Sequence, residues 1–263
     1  MKQPTKKTLI PRRHSGSTEK EPLSETIYNN GSDYFIDILK DIKQAKFSIS
    51  IETYTFRHDT IGNKIINALI EKARQGLKIK ILADGCGSPF FPQKSKELKR
   101  ANVQTKIYHP FPWSFWHWSK SVVKLPLILK WIYLLLMIRR RNHRKVIIID
   151  SQIAYLGSLN ITDKHLARED GGSGWRDTGL RITGVNLSDL ESAFDSCWHH
   201  RSITEYLKET YKKIRQDPVF RLNNTRHKRR ILYKNLLKRI RLAKQRIRIT
   251  NAYFIPENQI LKQ

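Results

Sequence analysis

At 263 residues the chain is long enough for one large domain or two modest ones. Its formal net charge of +27 predicts attraction to polyanions, either nucleic acid or a surface of acidic phospholipid, and does not choose between them. The two cysteines, Cys86 and Cys197, exclude a disulfide framework and any zinc-binding spacing, so a reduced, cytosol-facing protein is expected.

Residues 1–24 are polar and rich in Lys, Pro and Ser. No apolar stretch of a secretory signal follows their charges, and the composition predicts a disordered basic tail. Residues 34–42 carry apolar side chains at helical spacing behind a capping Ser32 or Asp33. Residues 47–51 alternate and predict a strand running into Glu52-Thr53-Tyr54. A helix over 61–74, stopped by Gly76, precedes a strand over 77–83 and the loop Asp84-Gly85-Cys86-Gly87-Ser88-Pro89. A shorter helix near 95–100 and a strand over 103–108 follow. The alternation argues for an α/β domain with a largely parallel sheet.

Residues 111–141 interrupt that pattern. Phe111, Trp113, Phe115, Trp116 and Trp118 crowd together, and an apolar run from Leu127 to Ile138 ends at Arg139, Arg140 and Arg141. A membrane span needs about 20 apolar residues. This run is shorter, and Lys124 and Lys130 break it. Because Trp and Tyr favour the lipid headgroup region and Arg meets its phosphates, an interfacial helix is expected. Burial against the sheet and a true span are the alternatives.

The stretch that organises the chain comes next. Residues 146–149 are an unbroken β-branched run, Asp150-Ser151-Gln152 has turn chemistry, and residues 153–156 are apolar again before Gly157-Ser158. This reads as a β-hairpin. With a two-residue loop, Asp150 pairs with Ile153, which sets Lys145 opposite Ser158 and His143 opposite Asn160. Facing side chains lie roughly 5 Å apart. An imidazole, an ammonium, a hydroxyl and an amide would then converge on one spot suited to an oxyanion.

His143-x-Lys145, four residues, Asp150, six residues and Gly157-Ser158-x-Asn160 resemble the HKD signature of the phospholipase D superfamily. Glu52-Thr53-Tyr54, Asp84-Gly85-x-Gly87-Ser88 and Trp175-Arg176-Asp177-Thr178 are similar to the forms found in its bacterial cardiolipin synthase branch. Gly174-Trp175 leads into a strand ending near Ile182, and the helical spacing from Val185 to Trp198 reads as core. Arg176 and Asp177 are expected to pair with each other.

Residues 237–254 repeat residues 39–56 at an offset of 198. Leu39, Lys40, Ile42, Ala45, Lys46, Ile49, Ile51 and Phe56 recur as Leu237, Lys238, Ile240, Ala243, Lys244, Ile247, Ile249 and Phe254. Residues 201–263 also hold 18 Lys and Arg against 4 Asp and Glu, half of the net charge. The expected organisation is a tail over 1–24, a first repeat over 25–200 with its insert at 111–141, and a basic linker with the start of a second, truncated repeat over 201–263.

What the resemblance implies is an α/β fold with a phospholipase D-like mixed sheet flanked by helices, and phosphatidyl transfer in two displacements. His143 would attack phosphorus, with Lys145, Ser158 and Asn160 holding the non-bridging oxygens. Asp150 joins His143 and Lys145 in the motif's catalytic set, although its place at the turn suits it to holding the loop or orienting a partner. Glu52 is either an accessory site residue or a surface carboxylate. No metal or cofactor is required, since the lysine and neutral donors already balance the phosphate. The expected partners are an anionic, phosphatidylglycerol-like phospholipid and the cytoplasmic face of a bacterial membrane, with nucleic acid as the second choice. A second HKD half would come from a longer chain or a second copy. A phospholipase, a nuclease and a non-catalytic binding fragment are the competing readings.

Overall fold

A computed structural model describes residues 6–9, 22–199, 220–222, 226–249 and 258–261. The chain divides into two compact units, Met1–His200 and Arg201–Gln263.

The first unit is built on one eight-stranded mixed sheet in the order β1-β2-β8-β7-β6-β3-β4-β5. Its strands are β1 (Lys6–Leu9), β2 (Ser24–Tyr28), β3 (Ser48–Thr53), β4 (Lys78–Asp84), β5 (Gln104–Tyr108), β6 (Val146–Ile149), β7 (Ile153–Gly157) and β8 (Gly179–Thr183). The expectation of a largely parallel sheet is corrected here. Among paired neighbours only β3-β4 and β4-β5 run parallel, these being the adjacent strands that helical crossovers join, α2 (Thr60–Arg74) and α3 (Phe91–Arg100). The tail is not wholly without structure either, since Lys6–Leu9 forms the edge strand against β2.

Alternation along the strands divides the core between two faces. Ile79 and Ile81 of β4 point into the larger cluster, where Ile38 and Ile42 of α1 (Gly31–Gln44) and Ile65 and Leu69 of α2 meet Ile49 and Ile51. Leu82 points the other way, onto Trp118, Leu134, Phe194 and Trp198. These come from a 3-10 turn (Phe115–Lys120), from α4 (Leu127–Leu136) and from α5 (Ser188–His199). Helices therefore cover both faces. Asn30, and not Ser32 or Asp33, caps α1, its side chain accepting from the Asp33 N–H at 3.0 Å.

In the second unit the repeat is realised as far as its helix, α6 (Arg226–Arg241), and a short α7 (Asn258–Leu261) follows. Residues 246–249 form no strand, although the repeat aligns them with the start of β3. In the first unit β3 lies between β4 and β6, and a strand needs such neighbours for its backbone bonds. None is present around 246–249 among the described residues. The end of the repeat at Phe254, and most of the basic linker, lie outside the described residues.

Candidate active site

The amino end of β6, the carboxyl ends of β3, β4 and β7 and the amino end of β8 all reach the same edge of the sheet. In α/β proteins the carboxyl edge of parallel strands is where ligands commonly bind. His143 and Lys145 enter there.

The hairpin forms with a register one residue away from the expected one. Ile149 pairs with Ile153, and Val146 with Leu156. Asp150 and Ser151 both have positive φ, 53° and 56°, as a type I′ turn requires, and the Gln152 N–H donates to the Ile149 carbonyl at 3.0 Å. Asp150 is the extra loop residue, which the two-residue loop had placed in the strand opposite Ile153. A shift of one residue changes every facing pair, so Lys145 does not oppose Ser158 and His143 does not oppose Asn160.

His143 and Lys145 nevertheless meet. Lys145 Nζ donates to the His143 carbonyl at 2.8 Å and lies 3.1 Å from Nδ1. Tyr54 completes the group, its ring 4.8 Å from that of His143 and 5.4 Å from the Lys145 ammonium. His143 is exposed, and its pKa is lowered from the usual 6.5, first by partial desolvation and then by Lys145, so the ring is neutral at pH 7. Burial pushes Lys145 down from 10.5 to about 8, against the pull of Asp177 and Asp84.

Asn142 and Arg144, which alternate with them, face the other way. Glu52 is 1% exposed and is no surface carboxylate. It accepts from the Asn142 side-chain amide and, at 2.6 Å, from Arg144 Nη2. Burial raises its pKa, although Arg144 and Asn142 pull it down. Arg144 also reaches the Ala193 carbonyl at 3.2 Å, and Asp84 accepts from the Asn142 N–H at 2.8 Å. Glu52 and Asp84 thus fix Asn142 and Arg144 inward, and the alternation of extended chain turns His143 and Lys145 outward.

The Gly-rich loop acquires a physical reason. A Cβ on Gly87 would lie 2.3 Å from the Tyr54 carbonyl oxygen, so only glycine allows this approach. Ser88 Oγ donates to that carbonyl at 2.8 Å and accepts from the Phe56 N–H at 2.9 Å. Asn160 fixes the same segment, accepting from the Thr55 N–H at 3.1 Å. In this state it positions the Tyr54 loop.

Ser158 Oγ donates to Asp177 Oδ1 at 2.5 Å, and the other oxygen of Asp177 holds His165 Nδ1 at 2.7 Å. Asp177 is therefore engaged by Ser158 and His165 in place of the expected Arg176 pairing. His165 is buried, and burial lowers its pKa in spite of Asp177. No motif signalled Tyr54 or Asp84 as neighbours of the histidine, or His165 as the partner of Asp177. The sequence signal was present only as the Glu-Thr-Tyr and Asp-Gly-x-Gly-Ser strings.

Asp150 is the member of the motif that the structure sets apart. At the far end of β6 its carboxylate accepts the N–H groups of Lys46, Phe47 and Ser48 at 2.7, 2.8 and 2.8 Å. It touches neither His143 nor Lys145 and acts as a clasp on the start of β3. No group of three or more His, Cys, Asp or Glu suited to a metal ion occurs among the described residues.

Residues 38–198 match the family model for the PLD-like domain of cardiolipin synthase. A cardiolipin synthase of Clostridium perfringens (strain 13) is 29% identical over 261 residues, 95% of this chain and 51% of that protein. Cardiolipin synthase 1 of Staphylococcus aureus (strain MRSA252) is 35% identical over 249 residues, 89% of this chain and 47% of its own length. The chain spans about half the length of the curated relatives it matches. A solved phospholipase D family member, Nuc from Salmonella typhimurium, superposes on 68% of this chain and 93% of its own at TM-score 0.45 and 19% identity, too loosely to carry an argument.

Proposed function

This chain belongs to the family of cardiolipin synthase PLD-like domains, and from that premise we propose that it transfers a phosphatidyl group through a phosphohistidine at residue 143, making cardiolipin from phosphatidylglycerol at a membrane surface. The cytoplasmic face is the side this reading takes. The observation that carries it is the outward pair of a neutral imidazole and a partly buried ammonium 3.1 Å apart at the strand edge. A nucleophile needs the free lone pair, and a phosphodiester needs fixed positive charge.

A protonated Lys145 has no lone pair, so Nδ1 of His143 accepts from it and the ring proton sits on Nε2. An entering phosphate draws the ammonium to its non-bridging oxygens. Nδ1 is then free to hold the ring proton, and the Nε2 lone pair faces phosphorus. The N–P bond forms as the P–O bond to glycerol breaks, and glycerol leaves with one proton. In the second displacement the terminal hydroxyl of another phosphatidylglycerol attacks phosphorus, the N–P bond breaks, and the proton of that hydroxyl replaces the one lost. Ser158 and the Asn160 amide join the phosphate site when substrate is bound. The proton donor for the leaving alcohol is a second His-x-Lys motif, from further chain or a second copy.

The test is to incubate the protein with phosphatidylglycerol vesicles and measure cardiolipin, free glycerol and phosphatidyl adduct on His143 by mass spectrometry. Glycerol release with an adduct, both lost in His143→Ala, is expected. Cleavage of DNA without lipid would assign the site to a nuclease. Vesicle binding with neither product nor adduct would leave a binding fragment.

A further inference from the structure

The segment 111–141 supplies a second functional surface. The sequence reading took Lys130 as a break in the apolar run of α4. The structure turns that lysine inward. It is 7% exposed, its Nζ donates to the Trp118 carbonyl at 2.8 Å, and it lies 5.7 Å from the centre of the Trp118 ring. With Leu134 it forms the buried side of the helix. The outward side is left without any charge. It consists of Leu127, Ile128, Leu129, Ile132, Leu135 and Leu136, with Ile128 77% and Leu136 74% exposed, and Trp131 stands among them.

The 3-10 turn that packs under α4 exposes more of the same chemistry in Trp116, at 73%, and Phe115, with Trp113 just ahead of it. The ends of the helix are cationic: Lys124 precedes it, Arg139 and Arg140 follow it, and all three are exposed. Soluble surfaces rarely present so large a contiguous apolar patch. No helix among the described residues is long and apolar enough to cross a membrane. An apolar face with aromatic neighbours and a basic rim fits the interfacial zone of an anionic bilayer, where aromatic rings lie at headgroup depth and Lys and Arg meet phosphate.

We propose that the outward face of α4, together with Trp116 and Phe115, is a bilayer-docking surface that seats in the interface of an anionic phospholipid membrane. The surface is tied to the catalytic edge at two points. Tyr133 of α4 packs edge-on against His109 at 5.5 Å, just past β5. The connector from α4 to His143 is pinned by Arg141 on the His109 carbonyl at 2.8 Å and by the Asn142 N–H on Asp84. Docking would therefore hold the segment that carries His143 close to the membrane surface. The proposal goes beyond the chemistry above and stands on separate observations, so vesicle binding tests it without turnover.

The experiment is sedimentation of the full chain with phosphatidylglycerol–phosphatidylcholine vesicles at low and high salt. Ile128→Glu combined with Leu136→Glu changes two outward side chains and leaves the core intact. It is expected to weaken binding by about ten-fold or more at either salt concentration. Ile36→Glu, a comparably exposed change on α1 at 62%, is expected to have no effect. Brominated acyl chains should quench tryptophan emission, and Trp131→Phe should lose part of that quenching. Equal binding by the double variant, or complete release by salt alone, would overturn the proposal and leave general electrostatic attraction. A dimer that the double variant dissociates, with no loss of vesicle binding, would overturn it in favour of a second copy as the occupant.

Discussion

Two lysines in this fold are equally hidden, and their surroundings differ. Lys145 at the proposed catalytic edge and Lys130 beneath the apolar helix are each 7% exposed, and burial lowers the pKa of both. Each ammonium donates to one backbone carbonyl. Lys145 also faces His143 Nδ1 and feels Asp177 and Asp84, whereas Lys130 has the Trp118 ring and the repulsion of Lys124. One buried charge is poised among titrating groups at an open edge. The other is a strut that removes charge from a surface. Burial alone does not mark a functional lysine; the company it keeps does.

The strongest way to break the comparison is Lys145→Met. Removing a preorganised cation from a phosphoryl site typically costs about 10²–10³ in rate, so glycerol release should fall by at least that much. The pH profile sharpens the point. The proposed reaction needs Lys145 charged and His143 neutral. The rate should decline as pH rises through about 8, and the acid limb should lie below the usual histidine value. Lys145→Arg should move the alkaline limb upward. Stability has the opposite sign. Between about 8 and 10.5 the unfolded chain keeps a proton on this lysine that the folded chain has lost, so the contribution of Lys145 to stability rises with pH across that window. The difference in unfolding free energy between wild type and Lys145→Met should grow over it, and a flat difference would contradict the buried environment.

Next in size is the inward pair. Glu52→Gln leaves the Arg144 guanidinium buried without its carboxylate, a change that typically costs about 3–5 kcal/mol. Urea unfolding should show it. Because Glu52 acts through Asn142 and Arg144, the surviving folded protein should retain the alkaline limb of the rate profile while losing turnover.

Much of this was legible in the sequence. The β-branched run at 146–149 and the alternation at 47–51 were enough to place β6 and β3, and the helical spacings located α1, α2 and α5. The exact pairing of the hairpin was not legible, because it turns on whether Asp150 is counted in the strand or in the loop. That depends on Asp150 and Ser151 both adopting positive φ, which their residue types permit without demanding. His143 and Lys145 come together despite the slip because they lie two residues apart on one segment leading into β6. The Ser158 pairing spanned the hairpin and failed with the register. His165 was invisible because a lone histidine in a loop carries no periodic signal. Lys130 was misread for a related reason: composition records a charge and says nothing of which way it points.

A smaller effect is expected at the opposite end of the hairpin. Asp150→Ala removes the acceptor of three backbone N–H groups that are exposed to partly buried. Water can replace part of what is lost there, so the cost should be about 1–3 kcal/mol. Both limbs of the pH–rate profile should stay where they are, since the carboxylate is a clasp and touches neither titrating group. A displaced limb would show that Asp150 acts on the chemistry.

The smallest effect tests the strut itself. Lys130→Met keeps the length of the side chain and removes the ammonium. The Trp118 carbonyl then lacks its donor, at about 1–3 kcal/mol, while the penalty of a desolvated charge, of similar size, disappears. Stability should therefore change by no more than about 1 kcal/mol. Vesicle binding should be unchanged, because the outward face of α4 is the same in both proteins. A lysine that turned outward to meet lipid phosphate would contribute about 1 kcal/mol, so its loss would weaken binding roughly five-fold. That drop would mean that Lys130 turns outward, as an interruption of the apolar face.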